Sequence, residues 1–180
     1  MSRAAVFLDR DGTIIEERGY LADPAGAVLE NKAAEGLRAM AAMGYALVVV
    51  SNQSGIARGY FTSDSAEAVN RRIADLLARE GVDILAWYFC PHGPADGCRC
   101  RKPLPGMLEQ AAREHDLDLP NSFVIGDKRV DVELALAAGC VGILVETGYG
   151  RENAAWALTA GYAVCRDLLD ASTYVRARGS

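Results

Sequence analysis

The chain has 180 residues, 51% of them hydrophobic, and a formal net charge of −5. That is enough apolar material for the core of one domain over residues 1–180. The acidic balance offers no general attraction for a phosphate backbone or an anionic membrane, so neither nucleic acid nor a membrane is expected as partner, and a phosphate site has to be locally basic.

Residues 4–8 are small or apolar without alternation, the pattern of a strand buried on both faces of a parallel sheet, and Gly12 frees the backbone to turn. Asp9 and Asp11 then stand at the strand's carboxyl end, where open α/β sheets bind ligands. Two acids so placed repel unless a cation or a divided protonation state relieves them. Asp and Gly are also ordinary turn formers, so this stretch taken alone fits a solvated turn. The apolar lead before Asp9 is too short for a signal peptide and the longest apolar run, 45–50, too short to span a bilayer. A cytoplasmic location is expected.

Residues 14–31 have no sustained period, and Gly19, Pro24 and Gly26 mark a loop or small flap, too short for a cap domain. Leu37, Met40 and Ala41 predict a helix over 32–43, in which the methionines fill core. Residues 45–50 read as a second strand, ending at the polar run Ser51-Asn52-Gln53-Ser54-Gly55. Asp64 and Glu67 read as a capping box ahead of a helix with Val69, Ile73, Leu76 and Leu77 on one face and Gly81 as its stop. Residues 84–89 predict a third strand.

The loop over 90–105 is punctuated by prolines and glycines, and a loop that long wants a staple. Cys90, His92, Cys98 and Cys100 supply three thiolates and an imidazole, a donor set suited to tetrahedral Zn²⁺. With four protein ligands no position stays open, so the zinc is expected to be structural and to hold the loop that delivers Arg101 and Lys102. Free thiols, or a Cys98–Cys100 redox pair, would leave the placing of Cys90 and His92 unexplained. Cys140 and Cys165 read as small core residues.

Beyond the loop, Met107, Leu108, Ala111 and Ala112 predict a helix whose His115 carries no chemistry. Residues 122–125 predict a fourth strand ending at Gly126-Asp127. A helix over 131–138 closing at Gly139 and a strand over 141–145 follow. Weak helices are expected at 154–160 and 167–178, and Gly148-Tyr149-Gly150 is too short for a dinucleotide fingerprint. Strands alternating with helices imply an α/β fold, a doubly wound parallel sheet.

The strand ends collect Asp9, Asp11, Ser51, Asn52, Lys102 and Asp127, the set that phosphoryl transfer needs. Mg²⁺ takes oxygen ligands, which Asp9, Asp127 and a backbone carbonyl would provide. Asp9 could attack phosphorus while Asp11 protonates the leaving alkoxide and later deprotonates water. Ser51 and Lys102 would hold the equatorial oxygens.

These residues resemble the haloacid dehalogenase superfamily of phosphohydrolases, whose four motifs match Asp9-Arg10-Asp11-Gly12-Thr13, Ser51, Lys102-Pro103, and Gly126-Asp127 with Asp131. The resemblance implies a Rossmann-like haloacid dehalogenase fold with Asp9 as nucleophile and Asp11 as acid/base. It also implies Mg²⁺ held by Asp9, Asp127 and the Asp11 backbone carbonyl. Cys-Pro-His and Cys-x-Cys-Arg-Lys-Pro resemble a zinc-loop branch containing bacterial heptose bisphosphate phosphatases and histidinol-phosphate phosphatases.

Glu17-Arg18-Gly19-Tyr20, the run from Asn52 through Gln53 and Ser54 to Gly59, and Pro105-Gly106-Met107-Leu108 look like the heptose enzymes. The short spacer between His92 and Cys98 is closer to the histidinol-phosphate group, and Ser51 stands where the heptose enzymes often have Thr. The implied partner is a small phosphorylated sugar. Glu17 to Tyr20, Asn52 to Ser54 and the zinc loop are expected to close the cleft of a monomer. Arg101, Lys128 and, less centrally, Arg58 would bind the groups far from the reacting phosphate. A phospho-receiver domain shares the acidic strand ends but explains neither the zinc loop nor Asp11.

Overall fold

The computed structural model describes residues 2–179. Six parallel strands, β1 (Ala5–Leu8), β2 (Ala46–Asn52), β3 (Ala86–Cys90), β4 (Phe123–Gly126), β5 (Val141–Val145) and β6 (Ala163–Cys165), form one sheet in the order β3-β2-β1-β4-β5-β6. Five helices join them, α1 (Ala33–Ala42), α2 (Ser63–Arg79), α3 (Gly106–His115), α4 (Arg129–Ala138) and α5 (Gly150–Thr159), and α6 (Leu168–Arg178) follows the last strand. The doubly wound parallel sheet expected from the sequence is present.

Alternation along the central strand divides the core. Val6 and Leu8 pack with residues of α1, α2 and α6, including Leu37, Ile73 and Val175, whereas Ala5 and Phe7 pack with Met107, Leu108 and Leu134 of α3 and α4. β1 is buried on both faces because each face carries a helical layer, which explains its unbroken apolar run. Met40 is fully buried and Met43 packs at the edge of the same cluster, as core filling requires.

The order of the strands makes the site. The chain winds from β1 outward through β2 to β3, then returns to lay β4 against the other side of β1. At such a reversal the loops leaving neighbouring strands diverge and open a crevice at their carboxyl ends. Asp9 leaves β1 and Asp127 leaves β4 at that crevice. Among the described residues the connection between β1 and α1 forms only a 3-10 turn, Pro24–Gly26, and isolated bridges Asp11–Ile15 and Ile15–Leu29, not a large cap.

Three local expectations need correction. The cap of α2 is Thr62, whose Oγ1 accepts from the Ser65 amide at 3.2 Å, so Asp64 and Glu67 lie inside the helix instead of framing its start. β2 runs on through Ser51 and Asn52, which pair with Phe89 and Cys90 of β3, so these polar residues belong to the strand. Strand β6 has no counterpart in the sequence reading. It is three residues long and half-buried on an edge, too short to establish a period.

Candidate active site

Asp9 is 6% exposed, and its Oδ1 accepts a hydrogen bond from Lys102 Nζ at 2.7 Å. The same ammonium donates to Asp131 Oδ1 at 2.6 Å and to the Val50 carbonyl at 3.0 Å. Its three donors are thereby used, which is what makes a buried lysine tolerable. Burial opposes its charge, but the two carboxylates more than offset this and raise its pKa. Burial likewise pushes Asp9 upward, yet Lys102 and Lys128 hold its carboxyl below the ordinary range, so Asp9 is ionised at neutral pH. An ionised carboxylate is what a nucleophile at phosphorus has to be.

Asp127 lies below the cleft floor, fully buried, and is pushed up to about 8 by burial and then by the charge of Asp9. Its Oδ2 accepts from the Tyr149 amide at 2.8 Å, while Oδ1 has no hydrogen-bond partner. Asp131, pushed up to about 6 chiefly by burial, completes a group of three carboxylates with Asp9 and Asp127 whose oxygens all lie within 4.8 Å of one another. The buried Oδ1 of Asp127 accepts no hydrogen bond, the Lys128 ammonium standing 3.9 Å away, and its place among crowded acids fits a hard divalent cation, which takes oxygen ligands and offsets the burial and repulsion that raise Asp127. The Asp11 carboxylate is not in this group, so a contribution from Asp11 has to come through its backbone.

Glycine makes the crevice narrow. Gly12 and Gly148 both have positive φ, and a Cβ on either would stand 2.3 Å from Asp127 Oδ2. The Thr147 hydroxyl donates to the Gly12 carbonyl at 2.7 Å and ties the two loops together. Gly148-Tyr149-Gly150, set aside as a nucleotide fingerprint, therefore closes the loop over Asp127. Its signal in the sequence is glycine itself, placed just after a buried strand.

The crevice opens into a cleft of about 440 Å³ lined by Asp9, Asp11, Glu17, Gly19, Tyr20, Asn52, Gln53, Ser54, Arg101, Lys102, Lys128, Val130, Asp131 and Tyr149. The flap, the end of β2 and the cysteine loop thus meet around it. Ser51 is buried beneath, its Oγ accepting from Gln53 Nε2 at 3.1 Å. Arg18 is the exception: it donates to Glu16 at 2.7 Å, about half exposed, and does not line the cleft. Arg58 is exposed and likewise outside the lining.

Several residues expected to touch substrate are engaged with protein, Asn52 and Lys128 among them. The Asn52 amide exchanges hydrogen bonds with the Lys102 backbone, receiving N–H at 3.0 Å and donating to the carbonyl at 3.2 Å, and so locks the Lys102 loop to β2. Lys128 Nζ donates to Glu17 Oε2 at 3.0 Å and lies 5.0 Å from the centre of the Tyr149 ring. Tyr149, Val130 and Asp131 were absent from the expected cleft residues, although Asp131 stood in the fourth motif.

Just ahead of Arg101 and Lys102 in the chain, Cys90, His92, Cys98 and Cys100 converge, with their sulfur and nitrogen atoms within 4.8 Å of one another. Cys90 Sγ lies 3.1 Å from Cys100 Sγ and 3.6 Å from Cys98 Sγ, too far for a disulfide. Burial first, then hydrogen bonding to the neighbouring thiols, pushes Cys90 up to about 12. Packing several sulfurs and an imidazole against one another is strained without a cation, and the donors fit zinc. Arg101 donates to the His92 carbonyl at 3.2 Å, so the knot and the following Arg-Lys pair move as one.

The fold and this site define a phosphohydrolase of the haloacid dehalogenase type, and a family profile described as HAD-hydrolase-like matches residues 99–171. The chain is 37% identical to a D-glycero-beta-D-manno-heptose-1,7-bisphosphate 7-phosphatase of Pseudomonas aeruginosa, across 93% of this chain and 95% of that one. It is 43% identical to a D-glycero-D-manno-heptose-1,7-bisphosphate 7-phosphatase of Thermosynechococcus vestitus, across 83% and 82%. A crystal structure of D,D-heptose 1,7-bisphosphate phosphatase from B. bronchiseptica, complexed with magnesium and phosphate, superposes with a TM-score of 0.88 at 34% identity, covering 97% of this chain and 99% of that one. The chain belongs to this heptose bisphosphate phosphatase family within the haloacid dehalogenase-like hydrolases.

Proposed function

We propose that the protein removes the C7 phosphate of D-glycero-D-manno-heptose 1,7-bisphosphate, leaving the 1-phosphate, through an aspartyl-phosphate on Asp9. One observation carries the chemistry: an ionised, lysine-paired Asp9 at the floor of an open cleft, beside a crowded carboxylate group with a buried oxygen that accepts no hydrogen bond. The substrate assignment draws on the relatives and on the cleft's reach.

Asp9, Asp127 and Asp131, with the Asp11 backbone, are the residues that would hold Mg²⁺. When bound, Mg²⁺ supplies charge neutralisation for the attack of one anion on another. Asp9 attacks phosphorus in line. Asp11 gives the departing sugar oxygen a proton and later takes one from water. Lys102, already fixed between Asp9 and Asp131, offers positive charge to the phosphoryl oxygens, and the Ser51 hydroxyl donates to them from below. Cys90, His92, Cys98 and Cys100 would hold a structural Zn²⁺, which would fix the loop that carries Arg101 and Lys102.

Without a cap, the mouth is shaped by Glu17, Gly19 and Tyr20 on one side and by Arg101, Lys128 and Tyr149 elsewhere, room for a sugar carrying phosphates at both ends. The anionic group at C1 would compete with Glu17 for Lys128 and meet the free donors of Arg101. Arg18 has no part in this contact. We take the chain to be one phosphatase domain acting as a monomer, and we place it in the cytoplasm, where a reducing poise keeps the thiolates available to zinc. No helix among the described residues is long and apolar enough to cross a membrane.

Phosphate release from the heptose bisphosphate, histidinol phosphate and generic esters in Mg²⁺ tests the assignment. The heptose bisphosphate should give the highest kcat/KM. A higher value for histidinol phosphate, whose cationic amine would face Arg101 and Lys128, overturns the substrate while leaving the phosphatase in place.

A further inference from the structure

Arg10 lies between the two catalytic carboxylates in sequence but turns the other way, into the protein body. It is 1% exposed and heads the largest fully buried side chains. Its Nε donates to Asp11 Oδ2 at 3.0 Å and its Nη2 to Asp11 Oδ1 at 3.2 Å, so the planar fork grips both oxygens of one carboxylate. The remaining arm, Nη1, donates to Asn70 Oδ1 on α2 at 3.0 Å, and Asn70 is itself 8% exposed. Gln53 Nε2 adds a bond to Asp11 Oδ2 at 2.9 Å.

A buried guanidinium is costly unless its donors are met, and many arrangements of acceptors would meet them. This arrangement orients the residue that has to move protons. The fork fixes the plane of the Asp11 carboxylate, and Asn70 fixes the fork from a helix on the sheet's face. Oδ2 accepts from both Arg10 and Gln53, whereas Oδ1 accepts from Arg10 alone, so the grip leaves a lone pair on Oδ1 for a proton directed at the cleft.

We propose that Arg10, anchored by Asn70, is a positioning residue that sets the reach of Asp11 for both proton transfers. This rests on the reading of Asp11 as the acid/base. In the first half-reaction an Asp9 oxygen bonds to phosphorus, the bond from phosphorus to the sugar oxygen breaks, and the Asp11 proton goes to that oxygen. In the second, water's oxygen bonds to phosphorus, its proton goes to Asp11, and the bond from phosphorus to Asp9 breaks, releasing inorganic phosphate. A misaligned Asp11 slows each transfer, whereas the attack of Asp9 itself needs no proton from it.

Leaving-group dependence separates this role from a merely structural one. A sugar alkoxide needs a proton to depart, and a nitrophenolate departs without one. Rapid-quench first turnovers of the Mg²⁺-loaded enzyme are measured with heptose 1,7-bisphosphate and with p-nitrophenyl phosphate, for wild type, Arg10→Lys, Asn70→Ala and Asp11→Asn. Arg10→Lys, which keeps the charge but loses the fork, should slow the sugar ester by about 10²-fold and the aryl ester by less than about tenfold. Asn70→Ala should show the same bias at smaller size, and because Ala is a good helix former it carries the test if Arg10→Lys does not fold. In an Asp11→Asn background, Arg10→Lys should cost little more. Equal losses on the two esters, or no loss, overturn the proposal. If Asp11→Asn itself lacks the bias, the acid/base reading has failed and takes the proposal with it. Bias in Asp11→Asn but in neither of the other variants sinks the proposal alone.

Discussion

Two clusters flank the Arg101–Lys102 segment that lines the cleft, and they are assembled in opposite ways. The Cys90–His92–Cys98–Cys100 knot comes from one short loop, whereas the carboxylate cluster draws Asp9, Lys102, Asp127 and Asp131 from three separate connections. The knot needs only local spacing and soft donors. The carboxylates need the whole sheet, because the reversal between β1 and β4 is what brings Asp9 beside Asp127. In the knot like groups are gathered as a cation would gather them. In the carboxylate cluster an internal cation, Lys102, already neutralises part of the charge, and burial together with the remaining charge of Asp9 raises Asp127.

The sharpest way to break the comparison is to empty the acid side. Asp9→Asn removes the proposed nucleophile and should lower turnover by about four orders of magnitude or more, read as phosphate release from purified protein. Substantial residual activity would mean that the carboxylates are there only to pair Lys102. Asp131→Asn leaves the nucleophile in place but takes one of the two carboxylates from Lys102. Turnover should fall by about 10²-fold as the ammonium drifts toward Asp9, with KM changed less than kcat. An unchanged kcat would show that Asp9 and the Val50 carbonyl suffice to place it.

The knot should prove less drastic. Metal analysis of fresh protein should find one zinc per chain. Cys98→Ala should lose it, lower Tm, and reduce activity by about tenfold in a way that added Mg²⁺ does not restore. Full activity in zinc-free protein would separate the knot from Lys102.

The smallest effect is a pH dependence confined to the acid side. Asp127 binds its proton more tightly in the folded protein, with a pKa of about 8 against 3.8 for a free carboxyl, and Asp131, at about 6, shifts the same way. The folded state therefore holds more protons than the unfolded one across that window, and the metal-free protein should lose stability as pH rises from about 4 to about 8. Asp9 is shifted downward, so its stabilising contribution is lost only as pH falls below about 4. Melting curves in a chelator should slope downward between about pH 5 and pH 8, and Mg²⁺ should flatten them. A slope unchanged in Asp127→Asn would assign it elsewhere.

This contrast also explains what could be read from the sequence. The knot was legible residue by residue because its ligands are near neighbours. The acids and Lys102 were legible by type and by their places at strand ends. What sequence could not supply was which atoms pair: Asn52 bonds Lys102 backbone, Glu17 bonds Lys128, and Arg18 turns to Glu16. These outcomes depend on loop packing, which has no period. The Arg10–Asn70 bond crosses from the loop after β1 to α2, and nothing at either position marks the other. β6 and the Gly12–Gly148 contact were missed because both become meaningful only once the sheet has closed.

Lys102 enters the site from the chain's first wing, after β3, and Asp131 from the second, after β4, and they pair with each other beside Asp9, which Lys102 also binds just past the shared central strand. Neither wing carries a complete set of reacting groups. Phosphate release thus serves as a reporter of assembly: in a refolding experiment it should appear only after the two wings have docked, later than signals from helices that can form within either wing.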